Sequence, residues 1–246
     1  MKNTPHTQQR FRPQDYLKLT ILGLALGAVA NGMHSLILPM RVQELVGPEL
    51  KATYLGVMTF CGLIVAMLTQ PVFGAVSDNS RFKWGRRKPF ILAGTVLTVG
   101  LMLGIGAGSS YASLFIVWCL IQGSLNTTQG PFQALIPDQV PADRRGIASG
   151  VKNLLEILGA VLVLQLIGKA VGSYAESTSG NSWLWISLGL LAAMLIVTAA
   201  VTLIFVKERP GAGKQDSSWL KIIPVSYTHL RAHETVLDLV CRLLLE

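Results

Sequence analysis

The sequence predicts an all-α membrane protein, a bundle of six transmembrane helices, and three observations carry that reading. Of 246 residues, 51% are hydrophobic and only 14% charged, with a mean hydropathy of +0.49, far more apolar than a soluble core of this length requires. Six apolar runs of bilayer-spanning length follow one another, at about residues 17–40, 54–76, 90–106, 114–136, 147–171 and 183–206. Lys and Arg then divide the loops into two sets. The N-terminus, the 77–88 loop, Arg144 with Arg145, and Lys207, Arg209 and Lys214 fall on one side, against Arg41, Lys51 and Lys169 on the other. That asymmetry predicts a multi-pass protein of the cell (plasma or inner) membrane with both termini cytoplasmic. It also explains the net charge of +8, which anchors the ends of spans beside membrane lipids and implies no nucleic-acid partner.

In chain order, residues 1–16 form a polar cytoplasmic segment. The run after them exceeds the roughly 7–15 apolar residues of a signal-peptide core, so it stays as the first span of a bundle over residues 17–206. Gly23 with Gly27 and Gly100 with Gly104 have the small-xxx-small spacing that lets helix backbones approach closely. A faint internal repeat relates the first three spans to the last three: Ala28 to Gly32 and Ser124 to Thr128 are polar interruptions at corresponding places. Spans three and six carry no charge and suit a lipid-facing position. Residues 207–223 read as a hydrophilic cytoplasmic linker. The three cysteines, Cys61, Cys119 and Cys241, have neither disulfide nor metal spacing. No Walker, zinc-protease or nucleophile-elbow motif occurs, so the sequence offers no enzyme machinery, no cofactor site and no metal site.

Chemistry concentrates in three places. The loop from Gln70 to Pro89 packs Arg81, Lys83, Arg86, Arg87 and Lys88 close together. Asp78, at the end of the preceding helix, stands at the negative end of that helix dipole and needs a cation, which Arg86 or Arg87 can supply. In span four, Gln122, Asn126, Gln129 and Gln133 fall within an arc of roughly 60° at 100° per residue, a stripe expected to line a water-filled pathway. In span five, Ser149, Lys152, Asn153 and Glu156 share a face, and Glu156 lies roughly 14 Å into a hydrocarbon core about 30 Å thick. A carboxylate at that depth costs about 2.5–3.5 kcal/mol, offset in part by Lys152 one turn away. Asn31, His34 and Ser35 share a face of span one, His34 near the outer surface, where an imidazole can take up protons.

Gly74-Ala-Val-Ser-Asp78, followed after six residues by Gly85-Arg-Arg-Lys88-Pro89, resembles the signature loop between helices two and three of the major facilitator superfamily, with four extra residues. With Gln70-Pro71 before it and Phe90-Ile91-Leu92 after it, it is similar to the sucrose and proton symporters and to the related glycoside, pentoside and hexuronide cation symporters. Pro137 to Gly150 is a second family-like element. The resemblance covers about residues 15–210. It implies the N-terminal six-helix bundle of a major facilitator fold, built of 3+3 inverted repeats, whose missing C-terminal half would complete a transporter. It further implies symport of a sugar or glycoside with protons by alternating access. In that reading Asn31, Gln122, Asn126, Gln129, Gln133 and Asn153 bind substrate. Glu156, Lys152 and His34 serve proton coupling, and Gly74, Asp78, Gly85, Arg86, Arg87 and Lys88 form a gating loop. Ala66 and Gln70 stand where sodium-coupled relatives carry acidic residues, which favours protons. A facilitator or exporter of another small solute, or a non-transporting six-helix scaffold, remains open. Residues 224–246 resemble a peptide that arises when sequencing-adapter DNA is read as coding sequence, and are expected to be non-native.

Overall fold

The computed structural model describes residues 13–80, 82, 84–175, 182–206 and 208, with the backbone alone for 170–175. Residues 1–12, Arg81, Lys83, Lys207, most of the linker and the 224–246 tail, with Cys241, lie outside the described residues. All described regular structure is helical. Six long helices follow: α1 Pro13–Val46, α2 Lys51–Asn79, α3 Lys88–Ala107, α4 Tyr111–Gln139, α5 Arg145–Ala175 and α6 Ser182–Phe205. Each outruns or matches its apolar run, because hydropathy stops at the first polar residue while the helix continues into the interface. Helix α1 is segmented, with one wide turn at Met33–Ile37. Pro39, two residues beyond it, has no N–H for the preceding turn.

Five of these helices are long and apolar enough to cross a membrane. The exception is α4, which has the length at 29 residues but carries the amide stripe that lowers its apolarity. Its start is fixed by a capping box in which the Ser110 hydroxyl accepts from the Ser113 N–H and the Ser113 hydroxyl accepts from the Ser110 N–H. At α1's end, Gly47 takes a left-handed φ of 82°, which glycine alone adopts freely. Beside it the buried Arg41 donates to the Gly108 carbonyl at 2.5 Å and pairs with Glu44. A guanidinium thereby meets the negative end of α3.

The closest packed pairs are α1 with α5, α3 with α4 and α2 with α4, followed by α3 with α6 and α1 with α6. Exchanging α1 with α4, α2 with α5 and α3 with α6 maps this set onto itself. The inverted repeat, faint in sequence, is plain in the packing. Asn31 donates to the Gly27 carbonyl and Asn126 to the Gln122 carbonyl, the same bond one turn back in two repeat-related helices.

Lipid supplies no hydrophobic drive for helices to associate, so close backbone approach must. A Cβ on Gly27 would overlap the Glu156 carbonyl, and one on Gly159 would overlap the Leu24 carbonyl; this is where α1 and α5 touch. The Gly23–Gly27 pair thus does what its spacing predicts. The Gly100–Gly104 pair does so only in half: a Cβ on Gly104 would lie 3.0 Å from the Val117 side chain of α4, Gly100 faces open space, and the backbone contact between α3 and α4 is at Gly94, against the Ser124 carbonyl. Burial within the bundle does not decide the lipid-facing positions expected for spans three and six, because a face left open here can meet lipid or a further helix. Only 11% of the most apolar stretch of α2 is buried, against 39% for α3. Helices α3 and α6, at 39% and 33%, are better covered by these neighbours than α2 and α5, at 11% and 22%, and less than α1, at 61%.

Candidate functional site

Helix α5 presents its charged turn to α1. Lys152 is buried, and its Nζ lies 2.8 Å from Glu156 Oε1 and 3.5 Å from Asn153 Oδ1. The pair rests on glycine: a Cβ on Gly23 would sit 3.3 Å from Glu156 Cγ and from the Lys152 carbonyl. Small residues on α1 therefore make room for the largest polar groups of α5. Asn153 and Ser149 are exposed, and Glu156 stands between that open side and the buried one.

The amide stripe of α4 divides by depth. Gln122 and Asn126 are buried, whereas Gln129 and Gln133 are half-buried. Gln133 accepts a hydrogen bond from Gln70 of α2 at 3.1 Å, so one of the two positions where acidic residues were missing holds an amide bridge between helices. Beside it, Gly130 lets α2 approach, with the Gln70 carbonyl 2.7 Å from where its Cβ would be. Toward the other end, His34 of α1 meets Trp118 of α4 edge to face at a centroid distance of 4.8 Å. Gly62 of α2 gives the Trp118 indole its space. Trp118 was not singled out in the sequence; its place one turn before Gln122 on the same stripe was the available signal. Asn31 and Ser35 are exposed.

The two polar stripes do not meet directly. Among the described residues no hydrogen bond or ion pair joins Gln122, Asn126, Gln129 or Gln133 to Lys152, Asn153 or Glu156. Helix α1 packs against both, along α5 and through His34 to α4.

In the basic loop the structure places Arg86, Arg87 and Lys88. Arg87, nearly fully buried, bridges Asp78 of α2 at 2.5 Å and Asp138 of α4 at 2.6 Å, and also donates to the Ser77 hydroxyl. Arg86 pairs with the second oxygen of Asp138 at 2.7 Å. The Arg87 backbone N–H donates to Glu208, whose carboxylate occupies the space a Cβ on Gly85 would need; Gly85 has φ of 116°. Thus Arg87, rather than Arg86, answers Asp78. Asp138 and Glu208, unassigned in the sequence, complete a carboxylate set on three helix ends. Lys88 takes no part in this network. Burial pushes the Asp138 carboxyl up, but hydrogen bonds from Arg87 and Arg86 outweigh it and hold it below its ordinary value; the bond to Asp138 likewise raises Arg86.

A helical bundle with polar stripes inside its spans and a charged lock across its loops defines a multi-pass membrane protein of transporter type. Comparison with known families makes this specific. The MFS/sugar transport protein family matches residues 23–244, and the chain belongs to it, within the major facilitator superfamily. It is 33% identical to sucrose transport protein SUC4 of Arabidopsis thaliana over 167 residues, 61% of this chain and 30% of that protein. To sucrose transport protein SUT1 of Oryza sativa subsp. japonica it is 28% identical over 237 residues, 80% of this chain and 42% of that one. Sucrose transport protein SUC3 of Arabidopsis thaliana is 30% identical over 183 residues, again 61% and 30%. The chain spans less than half the length of these relatives.

Proposed function

We propose that the chain is the N-terminal half of a secondary transporter that moves a sugar or glycoside together with protons by alternating access, and that it is not an enzyme. In this reading a C-terminal six-helix half packs on the open faces of α2 and α5, in a cell membrane, with both termini cytoplasmic. Gln122, Asn126, Gln129, Gln133, Asn153 and Asn31 hydrogen-bond substrate hydroxyls. Glu156 carries the coupling proton, with Lys152 as its counter-ion and His34 as an outer relay. Asp78, Arg86 and Arg87, with Gly85 shaping the turn and Gly74 inside α2 beside Gly130 of α4, act as a latch that holds the cytoplasmic side shut; Lys88 is outside it.

The observation that carries the reading is the Lys152–Glu156 pair, a titratable carboxylate placed deep in α5 and standing beside an open face. Buried charge is costly in a bilayer and is retained there for ion or proton movement. The sucrose transport relatives support the substrate class. A second reading has one observation in its favour: a Glu156 held by Lys152 at 2.8 Å is also what an uncoupled facilitator with a structural ion pair requires.

The test is uptake by the whole transporter in proteoliposomes with an imposed proton gradient. For a symporter, Glu156→Gln abolishes accumulation of labelled sucrose while sparing counterflow exchange. A variant that still accumulates sugar removes Glu156 from coupling and leaves the facilitator.

A further inference from the structure

We infer that the groove between the start of α3 and the end of α6 binds an anionic phospholipid. The groove holds about 340 Å³ and is lined by Trp84, Lys88, Leu92, Leu203 and Ile204. Its chemistry changes along its length. Lys88 is the first residue of α3 and Trp84 lies in the loop before it, so an ammonium and an indole stand at the mouth. Leu92 lies one turn further along α3, and Leu203 and Ile204 belong to the last turn of α6. Charge and indole at the loop end, aliphatic walls toward the bilayer, is the order of a phosphodiester above its acyl chains.

Two further observations point to an occupant. Trp84 at 74% and Ile204 at 70% are the most exposed large hydrophobic side chains among the described residues, and both line this groove. An indole at the level of the headgroups is favourably placed there. Lys88, meanwhile, is a half-buried cation that pairs with none of the described carboxylates. Asp138 and Asp78 are held by Arg86 and Arg87, and Glu208 accepts from the Arg87 N–H through Oε2 while its Oε1 has no hydrogen-bond partner. Among the described residues no acidic side chain lines the groove. A phosphate on a lipid satisfies Lys88 and covers Ile204 at once, and the leaflet that faces Lys- and Arg-rich loops is the anionic one. A free phosphate would leave the three aliphatic walls unused.

The test is lipid retention by the 246-residue chain, read by native mass spectrometry from mixed micelles of phosphatidylglycerol and phosphatidylcholine with matched chains. Wild type is expected to retain phosphatidylglycerol about five-fold over phosphatidylcholine, the preference that one juxtamembrane cation supplies. Lys88→Gln should lose that preference and Lys88→Arg keep it. Lys51→Gln, which removes the same charge at the opposite end of the bundle, should keep it too. Ile204→Trp, which fills the groove, should lower retention of both lipids. Equal retention of the two lipids by wild type, or equal losses in Lys51→Gln and Lys88→Gln, would overturn the site. An Ile204→Trp variant that retains lipid normally, or displacement by excess inorganic phosphate, would reduce it to a surface anion contact and overturn the lipid assignment.

Discussion

Helices α1 and α5 meet at Gly23, Gly27 and Gly159, and helices α2 and α4 meet at Gly62 and Gly130, so the repeat-related pairs are closed by the same device. What they hold differs. The first pair keeps its charges, Lys152 and Glu156, well inside the helix. The second keeps neutral amides inside, Gln70 on Gln133, and places its charges at the end, where Arg87 ties Asp78 to Asp138. Packing is set by the small residues and is common to both repeats; chemistry is set by polar residues and is particular to each. A duplicated scaffold can therefore assign deep charge to one crossing and a terminal lock to the other without a change of fold.

The largest effect should come from the shared device. Gly27→Leu forces a side chain into the Glu156 carbonyl, a backbone atom that no rotamer change can move. It should destabilise the chain by about 3 kcal/mol, read from unfolding of the purified protein in detergent. Gly56→Leu, where nothing lies within 4 Å, should stay within about 0.5 kcal/mol. At Gly62 the obstacle is the Trp118 and Gln122 side chains, so Gly62→Leu should fall between. Equal losses at Gly27 and Gly56 would mean that the crossings are not held by backbone contact.

The next effect separates the two pairs. Glu156→Gln leaves the buried Lys152 without its counter-ion, which should cost about 2 kcal/mol, less than a fully buried pair because Glu156 is a quarter exposed. Lys152→Gln combined with Glu156→Gln should recover most of the loss, since removing both charges removes the uncompensated one. A double variant as unstable as the single would show that Glu156 stabilises α1–α5 by something other than the pair.

Much of this was legible in the chain. Hydropathy located all six helices, and loop spacing located the Asp78–Arg87 loop and the family, because bilayer thickness and positive charge act directly on sequence. The Lys152–Glu156 pair followed from spacing along one helix. Contacts between helices were not legible. Gly100 has the glycine spacing and faces open space, whereas Gly94, whose small partner four residues on is Thr98, carries the contact. Asp138 and Glu208 join Arg87 from 51 and 121 residues away, a distance over which local pattern carries no information. Whether the α4 and α5 stripes meet was not legible either, because depth along a helix does not fix its rotation about its axis.

The terminal lock should show itself through pH. Asp138 titrates below its ordinary 3.8 because Arg87 and Arg86 stabilise its charged form despite burial. A lowered folded value contributes stability above the unfolded value, and that stability is lost as pH falls through the folded one. Wild type should therefore exceed Asp138→Asn in thermal stability by a constant margin from pH 7 to about 5. The margin should shrink below pH 4, where wild type becomes protonated at the same site. Charges of the α1–α5 crossing remain in both proteins, so the difference isolates the α2–α4 end. A margin that persists at low pH would mean that Asp138 acts by shape and not by charge.

The smallest effect on stability is expected from the amides, and it is also the most informative about function. Gln133→Leu breaks the 3.1 Å bond from Gln70, and a single hydrogen bond between membrane helices contributes about 0.6 kcal/mol. If Gln133 only ties α2 to α4, the whole transporter should lose that little stability and keep its apparent affinity for sugar. If the stripe binds hydroxyls, the same variant leaves substrate groups unpaired at a cost of about 1–3 kcal/mol, which raises KM roughly ten-fold or more. Gln133→Glu sharpens the distinction: it can still accept from Gln70, so the helix tie survives, while a charge is introduced among the hydroxyl-binding amides. Initial uptake rates against sugar concentration, measured beside unfolding for both variants, separate the two roles. An unchanged KM in Gln133→Leu would confine this amide to holding α2 on α4, and leave Gln122 and Asn126 as the buried part of the stripe still to be assigned.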